Sequence, residues 1–141
     1  MKHLFKIAAA AAILTTAPAG AEPITLLGSD DFEWETTPEG AAFASLQGDR
    51  FAESYQALVR LPAGTVSPPH IKTANMYGVL LQGEMIHYLS DEAPAAARRM
   101  GPGSFYSINS GAAHVSACVS EAPCIAYLYQ DGAFDFLPVS Q

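Results

Sequence analysis

The amino-acid sequence predicts an all-β fold, and two observations carry that prediction. The chain has 141 residues, and its 11 Gly and 10 Pro divide it at short intervals. Between these breaks lie runs rich in Val, Ile, Leu, Tyr and Phe, while no long segment shows the apolar stripe of a helix. Short strands separated by turn residues are typical of a β-sandwich or barrel. The length suits a single domain.

Eight short strands are predicted, each of them an apolar run bounded by turn residues. In chain order they are residues 42–46, 54–61, 66–71, 76–81, 85–89, 104–108, 114–119 and 125–130. The turns between them contain Gly and Pro, which supply the positive or fixed φ of a chain reversal. They are Pro62-Ala63-Gly64, Gln82-Gly83, Gly101-Pro102-Gly103 and Ser110-Gly111. Consecutive, mostly antiparallel strands follow from this pattern.

The rest of the chain is predicted to lack long regular structure. Residues 22–41 are an irregular entry into the folded domain, which spans 42–138. Residues 91–100 are predicted to form a surface loop with a helical turn, because they contain Pro94 and no apolar stripe.

Residues 1–21 are predicted to be a secretory signal. Lys2 and Lys6 precede an unbroken apolar run at 7–14, and Ala19-Gly20-Ala21 supplies small residues for cleavage. The run is much shorter than the roughly 20 apolar residues of a transmembrane helix. We therefore expect a periplasmic or secreted protein without a stable membrane anchor.

The charge of the mature chain excludes two classes of partner. Once residues 1–21 are removed, five Lys and Arg remain against 14 Asp and Glu, a formal net charge of −9. Nucleic acids and anionic membrane surfaces both require a basic face, so we expect neither as a partner. Three histidines remain: His70, His87 and His114.

Cys118 and Cys124 are the only cysteines. The five residues between them end in Pro123 and suggest a hairpin turn, across which the two side chains would meet. Export to an oxidising compartment favours a disulfide, and two buried free thiols are the alternative.

Two glycine and histidine patterns lie within the predicted strands. The first consists of Gly64, His70 and Gly83, and the second of Gly103, Gly111 and His114. Their spacing resembles the two sequence motifs of the cupin superfamily, over nearly the whole of 42–138. The resemblance implies a jelly-roll barrel of two antiparallel sheets, similar to secreted bacterial cupins of unassigned function, and a homodimer paired through outer strands.

Four positions depart from the cupin motifs. Lys72 replaces the second His of the first motif, and Met76 replaces its Glu. Asn109 and Cys118 replace the Pro and the final Asn of the second motif. Cupins hold a divalent metal through the His and Glu residues of these motifs, so the resemblance carries over only His70 and His114.

His87 offers a third imidazole. It shares one face of its strand with Met85 and Leu89, at positions that face inward in cupins. The resembled jelly roll puts the strand of His114 between those of His70 and His87. Three imidazoles would suit Zn, Fe, Ni or Cu with open positions. The alternatives are a two-His site completed by Met76 or water, and no metal at all.

Lys72 and Tyr106 are the candidate catalytic residues. A Lys buried in the barrel would have a lowered pKa and would act as a base or a Schiff-base nucleophile, or it would pair with a carboxylate or an anionic ligand. Its cation would repel a nearby metal. In the alternation of its strand, Tyr106 occupies an inward-facing position, from which its hydroxyl would donate a hydrogen bond to a substrate oxygen. The alternative is that it packs as an ordinary strand residue.

Three functions therefore compete. The first is a metal-dependent enzyme of oxygenase, isomerase or lyase type, in which the three His hold the metal and a small oxygenated or carboxylate substrate is polarised. The second is a binding module that has lost the full ligand set and captures a small molecule through Lys72. The third is a structural dimer with a filled core.

Overall fold

The computed structural model describes residues 24–139. The predicted signal at 1–21 lies outside them. Within the described range, ten strands and two 3₁₀ helices, at Ser29–Asp31 and Pro94–Ala96, make up the regular structure. The strands are β1 Trp34–Thr36, β2 Ala42–Gln47, β3 Tyr55–Leu61, β4 His70–Ile71, β5 Met76–Gln82, β6 Met85–Leu89, β7 Phe105–Ile108, β8 His114–Cys118, β9 Cys124–Gln130 and β10 Leu137–Pro138. No helix of residues 24–139 combines the length and the apolar character needed to cross a membrane.

The strands form two antiparallel sheets, which confirms the predicted all-β jelly roll. One sheet has six strands in the order β1-β2-β3-β9-β5-β7, and the other has four in the order β10-β4-β8-β6. The expectation that strands follow one another in the sheets is only partly right, because β9 lies between β3 and β5, and β8 between β4 and β6. The second of these insertions is the one that the cupin resemblance implies.

Three strand predictions need correction. Residues 22–41 contain β1, which pairs with β2, although this segment was expected to be irregular. The C-terminal β10 was not predicted. The strand expected at 66–71 shrinks to His70–Ile71, with a single bridge between Val66 and Ala117. Pro68 and Pro69 lack the N–H groups that a continuous ladder would need.

The predicted turns have the expected backbone. Each of four glycines has positive φ, at Gly64, Gly83, Gly103 and Gly111. At Gly83 the lack of a side chain is needed for a second reason, because a Cβ there would lie 2.8 Å from the Cys124 Sγ atom. The loop at 91–100 contains one 3₁₀ turn, as predicted.

Cys118 and Cys124 form the predicted disulfide, but not across a hairpin. Cys118 ends β8 in the four-stranded sheet, whereas Cys124 begins β9 in the six-stranded sheet. The bond therefore joins the two sheets where the chain passes from one to the other. Both residues are buried with Leu61, Leu80 and Met85 in one of the two apolar clusters.

The second apolar cluster packs between the sheets nearer the C-terminal segment. Its buried members are Phe43, Tyr55, Ala57, Met76, Ile108 and Leu128. Tyr106 packs against both clusters. The space between them contains a cavity, so the alternative of a completely filled core does not hold.

Candidate functional site

The cavity between the sheets has a volume of about 90 Å³ and a mostly apolar wall. A few polar groups interrupt that wall, among them His70, Lys72, His87 and Tyr106. A concave, apolar site with a few convergent polar groups is what a small-molecule pocket requires.

His70 and His114 lie side by side because β4 and β8 pair them directly. Their ring centroids are 4.2 Å apart. The Nδ1 atom of His70 lies 2.9 Å from the Pro68 carbonyl oxygen, and that of His114 lies 2.9 Å from the Ala112 carbonyl oxygen. A carbonyl oxygen only accepts, so each Nδ1 carries the hydrogen and each neutral ring keeps its lone pair on Nε2.

Both imidazoles are held in the neutral form. Burial lowers the pKa of His70 to about 4, with smaller contributions from the neighbouring His114 and Lys72. Burial also lowers the pKa of His114, and the charge of Lys72 adds to the effect. The His114 Nε2 atom is buried and has no hydrogen-bond partner among the described residues.

His87 lies on the strand that pairs with the other side of β8. It lies on β6 opposite Ser116 of β8, and its Nδ1 atom is 2.9 Å from the Ser116 Oγ atom. Its Nε2 atom is buried and also lacks a partner among residues 24–139. Burial lowers the pKa of His87 to about 3, followed by the effects of His114 and His70.

Only two of the three histidines, His70 and His87, are among the residues that line the cavity. His70 and His87 line the cavity, while His114, buried beside His70, lines a groove between β6 and β7 together with His87. No three His, Cys, Asp or Glu side chains of the described range are grouped closely enough to hold a metal ion. The residues that fit a metal by tautomer are the pair His70 and His114, each with a free Nε2 lone pair and an anchored Nδ1.

Lys72 is a buried cation in the same cavity, with 5% of its surface exposed. Its Nζ atom donates to the Asp135 carbonyl oxygen and lies 4.0 Å from the ring centroid of Phe134. Burial lowers the pKa of Lys72 to about 8, and the carboxylates of Asp135 and Glu39 oppose that shift. Its charge disfavours a metal cation nearby.

Tyr106 faces inward, as its position in β7 predicted. Its ring centroid lies 4.3 Å from that of His87, and burial raises the pKa of its phenol, which stays a hydrogen-bond donor. Tyr106 is opposite Gly78 of β5, where a Cβ would lie 2.2 Å from the Tyr106 Cζ atom. The absence of a side chain at Gly78 therefore leaves the space that the Tyr106 ring occupies.

Sequence reasoning missed two aromatic residues that pack against His70 and Lys72. Phe136 stacks on His70 with a centroid distance of 4.2 Å and an angle of 19° between the rings. Phe134 lies against Lys72 and donates its backbone N–H to the Arg50 carbonyl oxygen. The alternation of Phe134, Asp135 and Phe136 just before β10 was the available signal.

The comparisons agree with this architecture. A family profile described as "Domain of unknown function (DUF4437)" matches residues 31–141. A search of curated proteins found no significant match.

Three solved structures illustrate the likeness of fold. The polyketide cyclase RemF of Streptomyces resistomycificus is 17% identical, with a TM-score of 0.66 over 84% of this chain and 87% of that chain. An RmlC-like cupin from Shewanella frigidimarina is 12% identical, with a TM-score of 0.59 over 79% of this chain and 92% of that chain. An acetylacetone dioxygenase from Acinetobacter johnsonii is 19% identical, with a TM-score of 0.58 over 84% of this chain and 79% of that chain. The chain therefore has the cupin fold.

Proposed function

We propose that this chain, which belongs to the DUF4437 family, is an exported cupin whose cavity binds a divalent transition metal and acts on a small oxygenated or carboxylate substrate. The observation that supports this most directly is the state of the imidazoles. Two buried Nε2 atoms, those of His87 and His114, lack any partner among the described residues, and an unpaired polar atom is costly in such a place. A metal would supply the missing partner.

His70 and His114 would hold the metal, and His87, which the geometry of the described residues does not group with both of them, remains only a candidate third ligand. In both His70 and His114 the Nδ1 hydrogen goes to a backbone carbonyl, which fixes the ring and leaves Nε2 to coordinate. Zn, Fe, Ni and Cu all accept imidazole ligands. When bound, such an ion acts as a Lewis acid that polarises a substrate oxygen.

Tyr106 and Lys72 would assist the substrate directly. The phenol of Tyr106, with its raised pKa, keeps its proton and donates a hydrogen bond to a substrate oxygen. The ammonium of Lys72 would attract a negatively charged substrate group. Apolar side chains around them exclude water, which strengthens both interactions.

A second function is favoured by Lys72 itself. A buried ammonium in the same cavity opposes a metal cation, so the alternative is a binding protein that captures a small molecule without metal or chemistry.

Metal content separates the two functions. The full chain is exported to an oxidising compartment, purified without chelator, and analysed for Zn, Fe, Ni and Cu, beside the His70→Ala and His114→Ala variants. We expect near-stoichiometric metal and a higher Tm on metal addition in the wild type, and neither in the variants. Less than about a tenth of an equivalent of any metal, with no metal-dependent Tm difference from His70→Ala, would overturn the metal function.

Export and self-association are part of the proposal. The disulfide supports an oxidising compartment. A homodimer is supported by an apolar row on the outer face of the six-stranded sheet, formed by Leu58, Tyr127, Val79 and Phe105, of which Phe105 is 63% exposed. Light scattering tests it, since a monomer mass at micromolar concentration would contradict a stable dimer.

A further inference from the structure

No carboxylate of residues 24–139 lies within ion-pair distance of the Lys72 ammonium, although those of Asp135 and Glu39 are near enough to affect its pKa. An ammonium has three N–H donors, yet its single acceptor among residues 24–139 is the Asp135 carbonyl oxygen. The carboxylate of Asp135 instead accepts from the Thr73 backbone N–H, at 3.0 and 3.2 Å. The ion pairs of the described chain, Arg50 with Glu35 and Arg99 with Glu84, do not include Lys72. A buried cation with unfilled donors is expected to have an anionic partner.

The cavity restricts what that partner can be. Its volume is about 90 Å³, which is smaller than the roughly 150 Å³ of an engineered cavity that binds benzene. A ligand of about four or five non-hydrogen atoms, fewer than the six of benzene, is the size that follows from this comparison. The cavity wall includes the apolar side chains of Met76, Leu128 and Phe43, so the body of the ligand should be hydrocarbon.

Charge restricts the partner further. Lys72 is a buried cation of the cavity wall, whereas the lining residue that bears a carboxylate, Glu39, is exposed to solvent and does not form an ion pair with it. A dianion such as phosphate or a dicarboxylate would leave an uncompensated negative charge in an apolar space. A single carboxylate balances the ammonium and can accept both of its remaining hydrogen bonds.

We propose that the cavity binds a short-chain monocarboxylate, with its carboxylate on the Lys72 ammonium and its hydrocarbon chain against Met76 and Leu128. The inference rests on the proposed function in that both use the same cavity, but the carboxylate contact itself needs no metal. Lys72 is therefore the specificity-determining residue, in the position where the cupin motif has a His.

The test compares propionate with propionamide, which has the same shape without the charge. Binding to the chelator-treated full chain is measured by calorimetry or by changes in amide NMR signals. We expect propionate to bind at least about tenfold more tightly than propionamide, as a charge-assisted hydrogen bond in a buried site warrants. Octanoate should bind more weakly than propionate, because the cavity cannot enclose its chain.

Variants connect the preference to Lys72. Lys72→Met should bind propionate no better than propionamide, whereas Lys72→Arg should keep a preference for the carboxylate. Arg98→Met, which removes an exposed cation, is the matched control and should behave as the wild type. Circular dichroism establishes that each variant is folded.

The outcomes separate this inference from the metal function. Equal affinity for propionate and propionamide, a preference that survives in Lys72→Met, or tighter binding of octanoate would each overturn the monocarboxylate proposal. A metal titration on the same sample is read independently. Metal binding without a carboxylate preference would contradict only the monocarboxylate proposal. A carboxylate preference without metal binding would contradict only the metal function.

Discussion

At the scale of single residues, Gly78 and Tyr106 depend on each other. They face each other across β5 and β7, and a Cβ on residue 78 would lie 2.4 Å from the Tyr106 hydroxyl oxygen as well as 2.2 Å from its Cζ atom. The tyrosine ring therefore fills the volume that a side chain at 78 would take. This contact brings the phenol over the cavity and against His87.

Gly78→Ala should consequently push Tyr106 out of place. Overpacking of this kind costs typically about 1–3 kcal/mol, although Ala is otherwise better than Gly in a strand. Urea unfolding of Gly78→Ala, Tyr106→Ala and the double variant forms a mutant cycle. In the Tyr106→Ala background the cost of Gly78→Ala should largely disappear. Additive free energies of unfolding would show that the clash is relieved in some other way.

The candidate site was predictable from the sequence wherever a side chain is placed by its own strand. His70, Lys72, His87 and Tyr106 line the cavity, as alternation and motif spacing indicated. His114, which was expected there too, lines the neighbouring groove instead. Gly78 and Phe136 were missed, because their importance comes from contacts with residues distant in sequence. Nothing local in the sequence reveals that Phe136 stacks on His70.

At the scale of elements, strand prediction succeeded where strands are long and failed where they are short. Seven strands of four or more residues, β2, β3, β5, β6, β7, β8 and β9, lie within one residue of the prediction at either end. The three-residue β1 and the two-residue β10 have no apolar run of their own and exist because a neighbouring strand pairs with them. The order of strands in a sheet was not accessible from turn residues alone.

The disulfide is the covalent connection between the two sheets. It closes a loop with a sequence separation of 6, and both cysteines are 1% exposed. By the loop-entropy relation, a loop this short contributes about 2 kcal/mol to the free energy of unfolding. Because it connects β8, which carries His114, to the opposite sheet, the bond also stabilises the wall that positions the imidazoles.

The Cys118→Ala, Cys124→Ala double variant should lose about 2 kcal/mol or slightly more of unfolding free energy. Urea unfolding with and without dithiothreitol measures it. Reductant should destabilise the wild type by a similar amount and leave the double variant unchanged. A wild type that is indifferent to reductant after full thiol release would contradict the stabilising role.

At the scale of the whole molecule, the buried imidazoles make folding sensitive to acid. The unfolded chain takes up protons on histidine near pH 6.5, while burial lowers the folded pKa of His70 to about 4 and that of His87 to about 3. Between these values the unfolded state binds more protons than the folded state. The free energy of unfolding therefore falls as the pH falls through this window.

Urea unfolding at pH 7 and at pH 5 should show this loss, which for His87 alone is roughly 2 kcal/mol at about 1.4 kcal/mol per unit of pKa difference. Between pH 7 and pH 5 the change in stability comes mainly from the histidines, because the folded pKa of Lys72 is about 8 and ordinary carboxylates titrate below 5. His87→Gln keeps a polar side chain that does not titrate, so it should reduce the difference between the two pH values. If His87→Gln loses as much stability as the wild type, the His87 ring is already protonated or hydrated in the folded protein at pH 7. In either case His87 would not be the dry, neutral imidazole that its proposed role as a third metal ligand requires.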